Sequence, residues 1–438
     1  MSVTSMGIRR SDWLGEEVHG ARLANGLPVF VLPKKGFLKK HAMLATRYGS
    51  IDNEFQGPGE AAPSAVPPGI AHFLEHKLFE EEGGTAFDRF SKNGAYCNAF
   101  TSYTTTAYLF SCTDLFRENL DLLVDFVGHP YFTDAAIDRE REIIGQEIRM
   151  YEDSPDWRGF QTLLEAMYHR HPVRVDITGT VETIGGIDKA ALERCYRTFY
   201  NPKNMVLFVA GDLVPAEVFE TAAEAFAKRP YSQPSEPVRV LPDEPASVRA
   251  RETRMRLDVS QPRLLLGYKD ATAGESGRDL LRKDVELAFA IEMVFGRSSE
   301  FYQRCYESGL IDGSFSASYT GERDHGYTVI GGETEDPEKL RAAILDAVAR
   351  TRAEGFAAED FARIKSKATG KFLRNFNSLE FVASSFVQGY FLDIDLFEFL
   401  PTVDAVTPER IRARIAEHFD PERASVSIVE PLLKGAGT

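Results

Sequence analysis

Long apolar runs are missing from this chain. None approaches the ~18 residues a bilayer-spanning helix needs, so a membrane protein is not expected. The opening residues, MSVTSMGIRR, carry no apolar core of a secretory signal, and the expected location is the cytoplasm. Cysteine is sparse. Cys97, Cys112, Cys195 and Cys305 stand far apart with no CxxC pair, which excludes a disulfide framework or thiolate zinc knot and predicts four buried free thiols. Positive charge is short as well: 51 Lys and Arg against 66 Asp and Glu leave a formal net charge of −15, without the basic footprint of a nucleic-acid binder. That balance suits basic or neutral peptide ligands and equally suits plain solubility. What remains is an ordinary soluble composition, 43% apolar and 27% charged. The 438 residues exceed what one hydrophobic core usually serves, so two domains are expected.

The chain reads twice. Residues 192–202 look like a helix running into a loop that ends at Pro202, followed by the apolar strand 205–210. Residues 411–421 repeat this up to Pro421, followed by the strand 424–429, at an offset of roughly half the chain. At nearly the same offset, strand 43–48 matches 264–268, and the hairpin-like stretch 98–110 matches 317–330, with Tyr108 opposite Tyr327. Between the halves, Pro230, Pro234, Pro237, Pro242 and Pro245 mark a linker, because proline removes backbone donors. The expected organisation is a first domain over 1–228, a linker over 229–253 and a homologous domain over 254–438. Alternating apolar runs mixed with long amphipathic stretches, such as 135–151 and 359–374, predict an α+β sandwich in each half: an antiparallel-rich sheet with flanking helices.

Residues 67–79 carry the most chemistry. Pro67, Pro68 and Gly69 close a loop, and an apolar period then begins at Ile70, Phe73, Leu74 and Leu78. On a helix, His72 and His76 stand four residues apart on one face with Glu75 beside them. Two imidazoles so spaced can hold one Zn²⁺ at ~2.0–2.1 Å while the carboxylate faces water. The order His-x-x-Glu-His inverts the commoner His-Glu-x-x-His motif. The plain alternative is a helix that happens to carry two histidines. A catalytic zinc takes three protein ligands and keeps a fourth position open. Residues 137–150 offer Glu140 and Glu147, two helical turns apart on one face, with Ile143, Ile144 and Ile148 for packing. Spacing alone does not choose between these glutamates and a merely solvated acidic face.

The run from His72 to His76, followed some seventy residues later by Arg-Glu-Ile-Ile-Gly-Gln-Glu ending at Glu147, resembles the pitrilysin, insulin-degrading-enzyme and mitochondrial-processing-peptidase superfamily. The likeness extends over nearly the whole chain and is nearest to bacterial two-domain members of the YmfH type. It implies that His72, His76 and Glu147 bind one Zn²⁺ per chain, that Glu75 is the general base, and that Glu140 orients a ligand from outside the coordination sphere. It also implies that Asn98 and Ala99, in the stretch 94–110, sit on an edge strand and contact the substrate backbone. The physical logic there is strand addition; a plain Thr/Tyr-rich strand is the alternative. Each chain would form half of a clamshell chamber.

One family feature is missing. Members use an arginine and a tyrosine in the pattern Arg, three residues, Gly-Leu, one residue, Tyr. Counted from Gly309 and Leu310, those positions hold Cys305 and Asp312, and Arg304 is one residue off, about 100° around a helix. The second-half counterpart of the zinc helix, 284–294, is apolar and built for packing. The resemblance therefore implies a zinc metalloendopeptidase subunit that acts on peptides or unfolded polypeptides in a heterodimer, a paralogous subunit supplying Arg and Tyr. A non-hydrolytic zinc-containing binding or assembly subunit, and a zinc hydrolase of a modified or non-peptide amide, are the competing readings. His19, His41, His129, His169, His171, His325 and His418 lack ligand spacing to the motif, and His169 and His171, before Pro172, read as loop structure.

Overall fold

Seven consecutive residues without a polar side chain, Met205–Gly211, form a strand buried along its whole length. Such a strand belongs in the middle of a sheet covered on both faces. The computed structural model, which describes residues 3–228 and 236–432, places it there. Labelled in chain order, the sheet comprises β1 (Val3–Ser11), β2 (Glu16–Leu23), β3 (Pro28–Pro33), β4 (Lys40–Thr46), β5 (Tyr96–Thr101), β6 (Thr106–Cys112) and β7 (Met205–Gly211). Their spatial order is β1-β2-β3-β7-β4-β6-β5. Only β3 and β7 run parallel; every other neighbouring pair is antiparallel.

Alternation along these strands separates two faces. Val29, Val31, Leu44, Leu207 and Val209 enter one core with α1 (Ile70–Leu78), α2 (Phe116–Gly128) and α3 (Asp134–Glu152). Phe30 and Phe208 point the other way, where Phe386 of the helix Leu379–Phe391 meets them at ring-centroid distances of 4.9 and 4.5 Å.

A second sheet holds β8 (Glu252–Leu257), β9 (Arg263–Lys269), β10 (Ser316–Gly321), β11 (Gly326–Glu333) and β12 (Ala424–Pro431), in the order β8-β12-β9-β11-β10. Here β8 and β12 are parallel and the remaining pairs antiparallel. Taken from β3 onward, the first sheet has the same order and the same pattern of directions. The repeat seen in the sequence is thus a repeat of topology. In this second unit α4 (Pro155–Met167) packs on β9 and β12, while α5 (Gly277–Phe295) and α6 (Glu300–Glu307) add to its core.

Domain limits at 228 and 254 do not follow the compact units. One comprises residues 1–148, 176–241 and 373–391; the other comprises 149–175, 242–372 and 392–438. The linker was read from composition, whereas burial of Leu163, Leu164 and Met167, or of Val382, Phe386 and Val387, decides where a helix belongs. Residues 229–235 of that linker lie outside the described residues. The rest of it is anchored. Val238 and Arg239 pair with Gln56 and Phe55, and Arg239 reaches Asp52 at 2.7 Å. In the other unit, the Glu244 carboxylate accepts the backbone N–H groups of His169, Arg170 and His171, each at 2.8 Å, and pairs with the buried Lys269.

Among the described residues no helix is long and apolar enough to cross a membrane. All four cysteines are free and buried.

Candidate metal centre

Helix α1 begins at a left-handed residue. Gly69 has φ of 92°, and a Cβ built there would lie 2.5 Å from the Thr178 carbonyl oxygen; a Cβ on Gly179 would lie 2.6 Å from the Pro68 carbonyl oxygen. Two glycines therefore let the 178–179 loop close on the first turn. Ile70, Phe73, Leu74 and Leu78 fill the core, fully buried. The other side of α1 presents His72, Glu75 and His76, with ring centroids of the two imidazoles 4.5 Å apart.

Helix α3 packs through Ile137, Ile144 and Ile148. Ile143, read from the sequence as a packing residue, is instead 54% exposed and lines the cleft described below. The 3.6-residue period explains the difference, because Ile143 sits 100° from Ile144. From this packing α3 sends Glu140 and Glu147 toward α1. Glu140 Oε1 accepts from His76 Nδ1 at 2.9 Å. Glu147 Oε1 lies 3.7 Å from His72 Nε2, and its Oε2 lies 3.7 Å from His76 Nε2.

These 3.7 Å gaps exceed a hydrogen bond. They are near the ~3.3–3.4 Å edge of a tetrahedron whose donors stand ~2.0–2.1 Å from its centre. His72, His76 and Glu147 each offer a ligand atom within 4.8 Å of the others, so the trio could hold a metal ion. Two imidazoles and a carboxylate are a donor set zinc favours. Protonation agrees. Burial, aided by His76, pulls the His72 imidazole down to about 3, which keeps it in the neutral, ligating form. Burial also pulls on His76, but its bond to Glu140 and the surrounding carboxylates outweigh it, so that ring is raised. The buried Nδ1 of His72 has no hydrogen-bond partner among the described residues, so only His76 has an orienting carboxylate.

Glu75 is 8% exposed. Burial pushes its carboxyl up, opposed by a hydrogen bond from Thr101 Oγ1 to its Oε2 at 2.6 Å. Thr101 ends β5, the outermost strand of its sheet, whose second edge pairs with no strand among the described residues. Along β5 Tyr96, Asn98 and Phe100 are exposed, and Asn98 Oδ1 accepts from the Ala99 N–H at 2.9 Å. Glu75, His76, Asn98 and Ala99 border one cleft of about 690 Å³, walled by Phe79 and Phe87. Of the residues predicted for the metal, only His76 borders this cleft; it does so beside Glu75, Asn98, Ala99 and Glu140. The Thr101 contact carries no signal in the local sequence, because it joins side chains 26 positions apart.

Comparison with known proteins identifies the family of the chain. The family model described as insulinase (peptidase family M16) matches residues 61–181, and that of the peptidase M16 inactive domain matches 186–368. Over 420 residues the chain is 42% identical to the uncharacterized zinc protease YmfH of Bacillus subtilis (strain 168), spanning 96% of this chain and 98% of that one. The chain belongs to the M16 peptidase family. Its M16 fold is similar to that of an M16-like peptidase from Alicyclobacillus acidocaldarius, with a TM-score of 0.92 at 38% identity over 96% of this chain and 99% of that one. It is also 24% identical to the zinc protease YmxG of Bacillus subtilis (strain 168), over 86% of this chain and 91% of that one.

Cys305 and Asp312, which the motif count sets at the positions of the arginine and tyrosine, both take part in local structure. Cys305, on α6, is 2% exposed within the apolar core of its unit. Asp312 turns a loop by accepting from the Ser314 N–H at 2.8 Å. His171, Asp324 and His325 also bring ligand atoms within 4.8 Å, a grouping that local spacing could not reveal. The Val173 N–H donates to His171 Nδ1 at 3.1 Å, which leaves the proton of the neutral ring on Nε2, the nitrogen 3.6 Å from Asp324 Oδ1. His325 Nδ1 lies 2.6 Å from the same carboxylate oxygen. The 3.6 Å gap exceeds a hydrogen bond, and the buried His171 Nε2 has no hydrogen-bond partner among the described residues.

Proposed function

We propose that this M16 chain is the metal-bearing subunit of a zinc-dependent endopeptidase. Its carrying observation is that Glu75 borders the same cleft as a histidine of the convergent donor trio. His72, His76 and Glu147 hold one Zn²⁺ per chain, and Glu140 fixes the His76 ring through Nδ1. When bound, the ion supplies a Lewis acid for the scissile carbonyl and brings the pKa of water toward ~7.

The chain's own residues do the rest. An extended peptide pairs with the open edge of β5, where Asn98 and Ala99 hold its main chain without demanding a sequence. Glu75 takes a proton from the attacking water at Oε1, the oxygen left free by Thr101, and returns it to the departing amine. Such acid–base service is typically worth ~10²–10⁴-fold. Because Cys305 and Asp312 stand where the family's Arg and Tyr belong, the oxyanion donors come from a paralogous subunit in a heterodimer. Loss of each such donor costs ~2.7–4 kcal/mol. YmfH and YmxG, two related zinc proteases of one organism, support such a pairing. The four free, buried thiols support a reducing compartment, and the cytoplasm is the location we assign.

The test is hydrolysis of a broad peptide library by the purified chain, alone and with its paralogue, beside Glu75→Gln, with zinc assayed in each sample. Cleavage only by the mixture, lost in the variant, is expected. One equivalent of zinc without cleavage in any mixture would favour a binding subunit or a non-peptide amide as substrate.

A further inference from the structure

The base has a single hydrogen-bonded tether. Among the described residues the Glu75 carboxylate has one hydrogen bond, from Thr101 Oγ1 to Oε2 at 2.6 Å. A carboxylate in this state only accepts, so Thr101 donates. The hydroxyl is not shared with a closer partner. Thr106 Oγ1 stands 3.4 Å away, and its own proton goes to the Tyr48 carbonyl at 2.8 Å. The tether is also well anchored. Thr101 pairs with Thr106 across the ladder, and the hairpin beyond is closed by the Ser102 N–H on the Thr105 carbonyl at 2.8 Å.

We infer that Thr101 is a positioning residue for Glu75, its hydroxyl holding one carboxylate oxygen so that the other stays turned to the cleft. This inference rests on the peptidase reading above. It adds that the strand proposed to take the peptide and the group that holds the base are one rigid piece, three residues apart on β5. A peptide paired to that edge and the proton acceptor beside it therefore share a frame, and the distance between them does not depend on the flexible rotamers of a buried glutamate.

Thr101→Val keeps the shape of the side chain and removes the donor; Thr101→Ser keeps the donor and loses a methyl group. Hydrogen bonds to charged groups are worth enough to predict a fall in kcat of about ten- to a hundredfold for the valine variant. KM and zinc content should be unchanged, and the serine variant should recover most of the rate. A merely structural role would not separate kcat from KM or be rescued by serine. A wild-type complex that cleaves peptides while Thr101→Val cleaves them equally well overturns the inference and leaves the peptidase reading standing.

A second measurement does not need activity. Urea unfolding of the zinc-loaded full chain is compared for Thr101→Val, Glu75→Met and the double variant. The expected coupling changes the unfolding constant by about fivefold or more. Additive effects within twofold overturn the inference, even if no peptide is ever cleaved.

Discussion

Glu140 offers the sharpest test of the metal centre, because its effect is read as zinc affinity and not as turnover. Its carboxylate is 9% exposed, and Oε1 accepts from His76 Nδ1 at 2.9 Å. Replacing it with alanine leaves that ring nitrogen without its acceptor. It also frees the imidazole to rotate away from the point where His72 Nε2 and the Glu147 carboxylate converge. Loss of an outer partner of this kind typically weakens metal binding by about 10- to 100-fold, or ~1.4–2.8 kcal/mol at ~1.4 kcal/mol per decade. Glu140→Gln retains an acceptor oxygen without the charge and should fall between wild type and alanine. The assay is competition for zinc against a chromophoric chelator at fixed pH, with the melting temperature as a control for folding. His72→Ala serves as the reference for a lost ligand. A folded Glu140→Ala chain that binds zinc within twofold of wild type would show that Glu140 does not orient His76, and the ligand geometry would need another explanation.

Three further outcomes are expected. Gly69→Ala combines a left-handed φ of 92° with a Cβ 2.5 Å from the Thr178 carbonyl oxygen, so it should destabilise by about 1–3 kcal/mol, measured by urea unfolding. Cys305→Arg, made to restore the family's arginine, places a guanidinium in an apolar core and should cost on the order of 3 kcal/mol or more, or yield insoluble protein; a stable variant would mean that the position opens to solvent. Glu244 is held down to about 2: burial alone raises it, but the Lys269 bond and the three backbone donors outweigh that effect. Its folded pKa is below its unfolded one, so the stability it contributes is present above pH ~4.3 and is lost as the pH falls toward 2. Between those limits Glu244→Gln should show a flatter stability–pH curve than wild type.

The sequence disclosed whatever depends on short-range spacing. His72, Glu75 and His76 lie within five residues of one helix, so their common face could be read directly. The third donor could not: Glu147 joins them only through the packing of α3, and its choice over Glu140 came from resemblance. The repeated strand order was legible because matching apolar runs recur at one offset. The compact units were not, since a helix joins whichever sheet buries its apolar stripe, and chain position does not record that. Ile143 and Ile144 show how little separates two fates: adjacent isoleucines look alike in sequence, but one is 54% exposed and the other fully buried. The Thr101–Glu75 bond joins side chains 26 positions apart, and His171 meets Asp324 and His325 from farther still; no local period predicts such meetings.

The uncovered edge of β5 carries a consequence for selectivity. An edge that grips main-chain groups is nearly blind to which residues pass, but it is not blind to their conformation. A polypeptide whose backbone donors and acceptors are already matched inside its own helices and sheets has nothing to offer such an edge; a slack or half-synthesised one does. A catalyst built around that edge would act as a sorter of folding states, sparing finished proteins and taking those that have failed to finish, with no need for a recognition sequence.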